Sequence, residues 1–272
     1  MKAVCCVCNS FSNVNIDGLL SIYECEECAH QFTVLPKDKR ERYSQEYFLE
    51  THKNWFLHPD IGLFDNVISK IKKSAPKVLD VGCGQGAFLK HFYEKDKKAN
   101  LYGIDLIQNQ HPGITFIQGD FETQVFDTTF DVVTGFMVIE HIDNPQIFVR
   151  KIHSLLVPNG VMILNTISSS GLLYVFARAF KICGWRGPWE RLYNHHHLQH
   201  YSFFSLKKLI AANGFIVIDH KNHNFSLAAV DVPGGSKLLK IIYKTGIAFV
   251  FALNFLFGWG MNQTIICKKK VT

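Results

Sequence analysis

Five short runs of β-forming residues alternate with helix-length segments between residues 77 and 167 of this 272-residue chain. In order they read KVLDVGCG, NLYGIDL, ITFIQGDF, FDVVTGFMV and GVMILNTIS. Such alternation predicts an α/β fold with a mostly parallel sheet and helices on both faces. Ligands of these sheets bind outside the carboxyl ends of the strands. The candidate site residues are therefore those that follow each run.

The alternation also divides the chain into three parts. Residues 1–36 are cysteine-rich, and 37–76 form a charged linker followed by an amphipathic helix over about 60–73. Residues 77–272 form the α/β domain, with lid insertions expected at about 168–203 and 222–261. A helix near Ser205–Asn213 and strands at Phe215–Asp219 and Gln263–Lys268 complete that domain.

Composition limits the class of protein only broadly. A hydrophobic fraction of 47% and a charged fraction of 19% are those of an ordinary folded chain. The net charge of +6 mildly favours an anionic substrate, a nucleic acid or a membrane surface and does not choose among them. Nucleic acid has little further support, because the lysines are scattered and form no basic stripe. Met1 and Lys2 lead directly into a cysteine cluster without an apolar signal segment, so we expect a cytoplasmic protein.

The first β run ends in a glycine-rich turn. Asp80 precedes the glycines Gly82, Gly84 and Gly86, and a helical pattern follows from Ala87. Glycines at such a turn let the backbone approach a ligand closely. The spacing also fits the dinucleotide fingerprint G-x-G-x-x-G/A. The turn alone therefore predicts a cofactor with a nucleotide part, and it does not show whether that cofactor is a dinucleotide.

Acidic residues after the next two runs narrow the choice. Asp105 is placed to accept hydrogen bonds from ribose hydroxyls. NAD-binding enzymes use a carboxylate in this way at a similar spacing, so Asp105 does not exclude a dinucleotide. Asp120 offers an acceptor for an adenine amino group, and Phe121 beside it offers an aromatic face. With Asp80 and the run FDVV, this series resembles the class I S-adenosylmethionine (SAM)-dependent methyltransferases over about residues 60–269.

That resemblance implies a Rossmann-like fold and SAM as cofactor. The cofactor-binding residues it implies are Asp80, Gly82, Gly84, Gly86, Asp105, Asp120 and Phe121. An RNA methyltransferase and a non-catalytic SAM-fold binding protein are the alternatives.

Paired cysteines near the N-terminus predict a metal site. Cys5-x-x-Cys8 and Cys25-x-x-Cys28 have the spacing of two knuckles that bind one tetrahedral, structural Zn²⁺. Cys6 is the spare thiol, and His30 is expected to be an exposed surface residue.

The order of the parts carries a second, narrower resemblance. Cysteine knuckles, an aromatic-acidic stretch at 43–48 and a SAM domain are similar to the ribbon-bearing methyltransferases of bacterial polysaccharide and related small-molecule biosynthesis. This implies a small-molecule, sugar-nucleotide or glycan/lipid-linked acceptor. It does not extend to the extra C-terminal domain of the sugar C-methyltransferases in that group.

Histidines mark the acceptor side. Methyl transfer from a sulfonium is an in-line displacement, which needs a base only when the acceptor loses a proton. The resemblance places a His-rich segment before the Ser205 helix, so His197 or His200 is the expected base. His141, after the fourth run, is the third candidate and is expected mainly to shape the loop. Five aromatics are expected in a lid over the acceptor: Tyr174, Phe176, Phe180, Trp185 and Trp189.

The apolar stretch 237–261 has two readings. Lysines at 237, 240 and 244 precede it, which suits peripheral contact with a membrane. A spanning helix is disfavoured, because residues 246–261 are shorter than about 20 residues and are broken by Asn254 and glycines. The last strand must also return to the sheet. We therefore expect a helical lid, with membrane contact as the alternative.

Overall fold

The computed structural model describes residues 2–17, 20–35, 57–193, 196–230 and 236–271. The predicted linker from residue 37 to 56, with its aromatic-acidic stretch, lies outside these ranges. Numbered along the chain, the described strands are β1 (Lys2–Val4), β2 (Phe11–Asp17), β3 (Leu20–Cys25), β4 (Gln31–Thr33), β5 (Lys77–Val81), β6 (Asn100–Asp105), β7 (Ile114–Gln118), β8 (Phe130–Phe136), β9 (Leu156–Ile167), β10 (Gln199–His200), β11 (Phe215–His223) and β12 (Asn262–Lys269). They form two sheets.

The larger sheet has seven strands in the order β11-β12-β9-β8-β5-β6-β7. The pairings among β5 to β9 are parallel, whereas β12 runs antiparallel to both β9 and β11. The prediction of a mostly parallel sheet is confirmed. Strand β5 lies at the point where the strand order reverses, with β6 on one side and β8 on the other.

Helices cover both faces of this sheet. The described α-helices are α1 (Ile61–Lys70), α2 (Ala87–Lys95), α3 (Pro145–Leu155), α4 (Leu172–Ile182), α5 (Gly187–Leu192), α6 (Phe203–Ala212) and α7 (Lys237–Phe257). Neighbouring residues of a strand face opposite layers. Leu79 thus joins a buried cluster with α3 and α6, while Val78 joins another with α1 and α2.

Capping side chains explain where two of these helices begin. The Asp60 carboxylate accepts the backbone N–H of Leu63 at 2.9 Å and starts α1. Helix α6 begins at Phe203, slightly earlier than predicted, because Ser202 and Ser205 form a reciprocal capping box.

The smaller sheet contains the cysteine knuckles and one strand from far along the chain. Its order is β1-β2-β3-β4-β10, so a strand at residues 199–200 pairs with β4 of the N-terminal part. The sequence predicted this part as residues 1–36 alone. The added strand lies inside the region predicted as a lid insertion, and it joins that region to the ribbon.

Two excursions from the larger sheet occupy the predicted lid regions. Helices α4 and α5 lie between β9 and β10, and α7 lies between β11 and β12. Tyr174 and Trp189, two of the predicted lid aromatics, are buried in a cluster with Ile22 of the small sheet. By length and composition α7 could cross a membrane, and 17% of its apolar window, Lys240–Phe257, is buried in the protein.

Gln199 connects the two sheets through buried hydrogen bonds. Its side-chain oxygen accepts from His30 Nε2 at 2.9 Å and from the Cys6 thiol at 3.1 Å. Its amide nitrogen donates to the carbonyl of Ile142 in the large domain at 3.0 Å. His30 is fully buried and stacks on Tyr201, with ring centroids 4.7 Å apart. The expectation of a surface histidine is wrong, because its ring lies at this junction.

Replacing Gln199 should destabilise the protein. Gln199→Ala leaves buried donors and an acceptor without partners, at a cost of about 1–3 kcal/mol. Thermal unfolding followed by circular dichroism should show a midpoint lower by roughly 4 °C or more. Gln118→Ala is the matched control, since its exposed amide bonds only the Leu106 carbonyl, at 3.3 Å. Equal midpoints for the two variants would contradict this role of Gln199.

Candidate functional site

The glycine turn joins β5 to α2 in a backbone conformation that side chains disfavour. Gly82, Gly84 and Gly86 have φ values of +65°, +51° and +74°. A Cβ atom on Gly82 would lie 2.4 Å from Val138 Cγ2, and one on Gly86 would lie 2.7 Å from the Phe116 ring. The conformation and the close approach both require glycine here.

Two carboxylates lie directly behind and beside this turn. Asp105, at the end of β6, accepts the backbone N–H of Gly84 at 2.7 Å and that of Ile107 at 3.1 Å. Asp80 is buried on β5 and accepts the Thr134 hydroxyl at 2.7 Å. Burial raises the pKa of both carboxyls, that of Asp80 to about 7. Asp80 therefore tends to hold a proton, while Asp105 fixes the turn.

The predicted adenine-binding residues, Asp120 and Phe121, follow the end of β7. Asp120 is exposed and accepts the backbone N–H of Glu122 at 2.8 Å. Phe121 is mostly buried and packs edge-on against Phe148, with ring centroids 5.3 Å apart. The Lys151 ammonium lies 5.2 Å from the Phe121 ring centroid.

These groups line one cavity of about 710 Å³ at the carboxyl ends of the parallel strands. Of the predicted cofactor residues, those lining it are Asp80, Gly82, Gly84, Asp105, Asp120 and Phe121. Gly86 does not line the cavity; it ends the turn as the residue before α2. A cavity of this size suits a cofactor-sized ligand.

The predicted catalytic histidines separate into two environments. His141 and His197 line the cavity, with ring centroids 5.0 Å apart, and His141 Nδ1 donates to the His196 carbonyl at 2.7 Å. His200 is fully buried away from the cavity lining, and its Nδ1 lies 3.1 Å from the Tyr174 hydroxyl. Burial lowers the pKa of His200 to about 3, so it is neutral near pH 7. The structure does not bring His200 to the site.

Glu140 is a group whose role the sequence did not reveal. It is fully buried, its Oε2 accepts the Thr166 hydroxyl at 2.8 Å, and burial raises its pKa to about 7. Ligand atoms of Glu140, His141 and His197 lie within 4.8 Å of one another. The sequence signal for Glu140 is that a carboxyl residue follows an apolar run. The three groups form an acid-base cluster that can hold and pass a proton.

The wall opposite the glycine turn comes partly from residues 222–261, the second predicted lid region, and partly from segments that sequence reasoning did not assign to the site. Asn165 lies near the end of β9 and donates to the Thr264 hydroxyl at 3.1 Å. Apolar side chains make up the rest of this wall, and the main ones are Met137, Ile167, Phe225, Ala229 and Met261. His58, Pro59 and Asp60, before α1, also line the cavity. The opposite wall is therefore largely apolar.

The four predicted zinc ligands come together in the small sheet. Their sulfur atoms lie within 4.8 Å of one another, with Cys5–Cys28, Cys8–Cys25 and Cys8–Cys28 separations of 3.7, 3.4 and 3.5 Å. Tetrahedral Zn²⁺ with Zn–S bonds of about 2.3 Å needs S–S separations near ~3.8 Å. The cluster therefore fits a four-thiolate zinc ion.

The two knuckles around this cluster have the same backbone pattern. The N–H of Asn9 donates to the Cys5 carbonyl at 2.9 Å, and that of Ala29 to the Cys25 carbonyl at 2.8 Å. Asn9 and Ala29 both have positive φ values, 62° and 52°. Cys6 is outside this set and bonds to Gln199 instead.

Comparison with known proteins matches residues 57–220, more than half of the chain, to the family described as methyltransferase domain. A malonyl-[acyl-carrier protein] O-methyltransferase of Halalkalibacterium halodurans is 28% identical over 123 residues, which are 40% of this chain and 45% of that protein. A ubiquinone biosynthesis O-methyltransferase of Rickettsia typhi is 31% identical over 143 residues, or 48% and 55% of the two chains. The chain thus spans about half the length of these curated relatives.

A solved structure extends the likeness over nearly the whole chain. The Burkholderia thailandensis 1,6-didemethyltoxoflavin-N1-methyltransferase, with its substrate and S-adenosylhomocysteine bound, has a TM-score of 0.54 at 13% identity. The match covers 96% of this chain and 99% of that one. At this identity the likeness concerns the fold, and the predicted Rossmann-like fold is confirmed.

Proposed function

The chain belongs to the methyltransferase domain family, and from that premise we propose that it transfers a methyl group from SAM to a small-molecule, sugar-nucleotide or glycan/lipid-linked acceptor. The observation that carries the proposal is the convergence of the glycine turn, Asp105 and Asp120 on one cavity. The class I SAM-dependent fold and the positive-φ glycines support the same cofactor.

Each cavity residue has a defined part in this proposal. SAM supplies an electrophilic methyl group on a sulfonium, which a nucleophile attacks in line. The Asp105 carboxylate would accept hydrogen bonds from the ribose hydroxyls, and Asp120 would accept one from the adenine amino group. The backbone of Gly82 and Gly84 allows the cofactor to approach β5 closely. The apolar wall opposite binds and orients the acceptor.

The acid-base cluster serves the acceptor. His197 faces the cavity and receives the acceptor's proton as the nucleophile attacks. Glu140 lies behind it, where it can hold a proton near neutral pH. His141, fixed by its bond to the His196 carbonyl, positions the loop that carries His197. The names of the two curated relatives, both O-methyltransferases, favour an oxygen nucleophile.

The proposal of a polysaccharide-type acceptor is based on the order of cysteine knuckles, aromatic-acidic stretch and SAM domain along the chain. The proposal of a zinc ribbon is based on the cluster of four thiols. A bound Zn²⁺ would hold the two knuckles together as a structural ion, with all four positions filled by sulfur. No chemistry is assigned to it. An RNA methyltransferase is not favoured, since the opposite wall is apolar rather than basic.

Calorimetric titration should show micromolar binding of SAM and none of NAD. Gly84→Asp should abolish binding, because a side chain is strained at φ +51° and a second carboxylate would face Asp105. His197→Asn should keep the wild-type affinity, since the imidazole acts on the acceptor. Absence of SAM binding to the folded wild-type protein would overturn the proposed cofactor.

His197 should matter for turnover. With tritiated SAM and a lipid and small-molecule extract of the source cells, His197→Asn should transfer methyl groups about 10²-fold more slowly. His91→Asn is the control, because the His91 imidazole bonds to Asp65 at 2.7 Å and does not line the cavity. Turnover of His197→Asn within twofold of wild type would exclude His197 as the base.

SAM binding by the wild-type protein with no methyl transfer to any fraction of the extract would support the non-catalytic alternative.

Metal analysis tests the ribbon. The purified wild-type protein should carry one Zn²⁺ per chain, released when the thiolates are blocked by a mercurial and read with a chromophoric chelator. Cys25→Ser should lose the ion and unfold at a lower temperature. Cys6→Ser is the matched control and should retain it, because Cys6 lies outside the cluster. A zinc content unaffected by Cys25→Ser would contradict the site.

A further inference from the structure

Helix α7 leaves most of its apolar surface uncovered. Phe255 is 88% exposed and Leu256 72%. Other exposed apolar residues on the helix are Leu238, Ile241, Ile242, Phe249 and Phe257, and Trp259 follows. Contiguous exposed apolar surface of this kind marks a binding surface. A helix that is apolar on all sides is normally covered by protein or lipid.

The helix is held to the domain along one narrow face. Phe251 and Asn254 are its buried residues among the described side chains. Asn254 Nδ2 donates to Asn224 Oδ1 at 2.9 Å, and Asn224 Nδ2 donates to the Phe251 carbonyl at 3.1 Å. These bonds fix the orientation of α7, and contacts with α4 and of Arg191 with the Tyr243 ring cover a further part of it.

The attachment of α7 lies at the cavity. Phe225, next to Asn224, lines the cavity and packs edge-on against Phe251, with ring centroids 5.4 Å apart. Ala229 and Met261, on either side of α7 in sequence, also line the cavity. The exposed helix is therefore attached directly to the apolar wall of the site.

Charge on α7 is confined to its first half and has one sign. Lys237, Lys240 and Lys244 are exposed, and no acidic residue occurs between residues 237 and 257. From residue 246 to 257 there is no charged residue at all. Lysines beside an apolar face complement anionic headgroups above acyl chains. A second copy of this helix would bring like charges together instead.

The sheet determines how such a helix can meet a bilayer. His223 of β11 pairs with Asn262 of β12, so the excursion leaves and re-enters the sheet at one place. A spanning helix would carry β12 to the opposite side of the membrane and break its pairing with β9. Helix α7 must therefore lie along a surface.

We propose that α7 docks the protein on an anionic lipid bilayer as an interfacial helix, and that the acceptor is a lipid-linked molecule drawn from that bilayer into the cavity past Phe225. Helix α4, which contacts α7, also exposes the apolar side chains of Val175 and Ile182. The inference rests on the proposed function for the methyl transfer, but the docking is testable without turnover.

Vesicle flotation tests the docking. The zinc-containing full chain should float with phosphatidylcholine vesicles that contain phosphatidylglycerol and much less with phosphatidylcholine alone. Phe255→Asp combined with Leu256→Asp should lower the bound fraction at least about tenfold. Lys240→Glu combined with Lys244→Glu should weaken binding to the anionic vesicles by about tenfold or more, and high salt should do the same.

Matched controls are exposed residues elsewhere. Val125→Asp replaces an apolar side chain that is 77% exposed, and Lys98→Glu reverses an exposed lysine. Both should bind vesicles like wild type. All variants should keep wild-type SAM affinity in calorimetry, which separates failure of the docking from failure of the proposed function. Wild-type protein that stays unbound, or a dimer that Phe255→Asp with Leu256→Asp dissociates, would overturn the proposal.

Discussion

The parallel pairing of β5 on both sides is the constraint from which the site follows. Because β6 and β8 lie on either side of β5, the connections after β5 and after β8 turn to opposite faces and open a crevice at the carboxyl ends. The glycine turn lies at that crevice. Asp105 then ties the turn to β6 through the Gly84 N–H, which links the crevice to the neighbouring strand.

The small sheet is joined to the loop that carries His197 beside the cavity. Strand β10 pairs with β4, and the residues just before it, 196–198, hold the loop beside the cavity. Leu198 N donates to the Glu140 carbonyl at 2.8 Å, and the His196 carbonyl accepts from His141. An ion bound by the knuckles would therefore stabilise β4, then β10, and through them the position of His197. This gives a structural metal an indirect influence on the acceptor without any contact with it.

The features predicted from sequence are those that depend on neighbours in the chain. The β5 turn, α2 and the parallel strands are encoded by local periodicity and by glycines. Strand β10 is two residues long, and its partner lies more than 160 residues away, so no local pattern indicates it. For the same reason His30 and His200 were not recognised as buried. The ribbon and the large domain bury these imidazoles between them, and their sequence neighbours do not reveal this. Glu140 was given no role from the sequence, because its burial depends on β9, whose Thr166 hydroxyl it accepts.

The pairing of His223 with Asn262 has an evolutionary consequence. Since the chain between these residues departs from and returns to adjacent strands, its length and composition can change without altering the order or register of the sheet. The cofactor crevice is built from other strands and is insulated from such changes. Related proteins can therefore differ in this one segment, and so gain or lose affinity for apolar acceptors, while they keep the same cofactor-binding sheet.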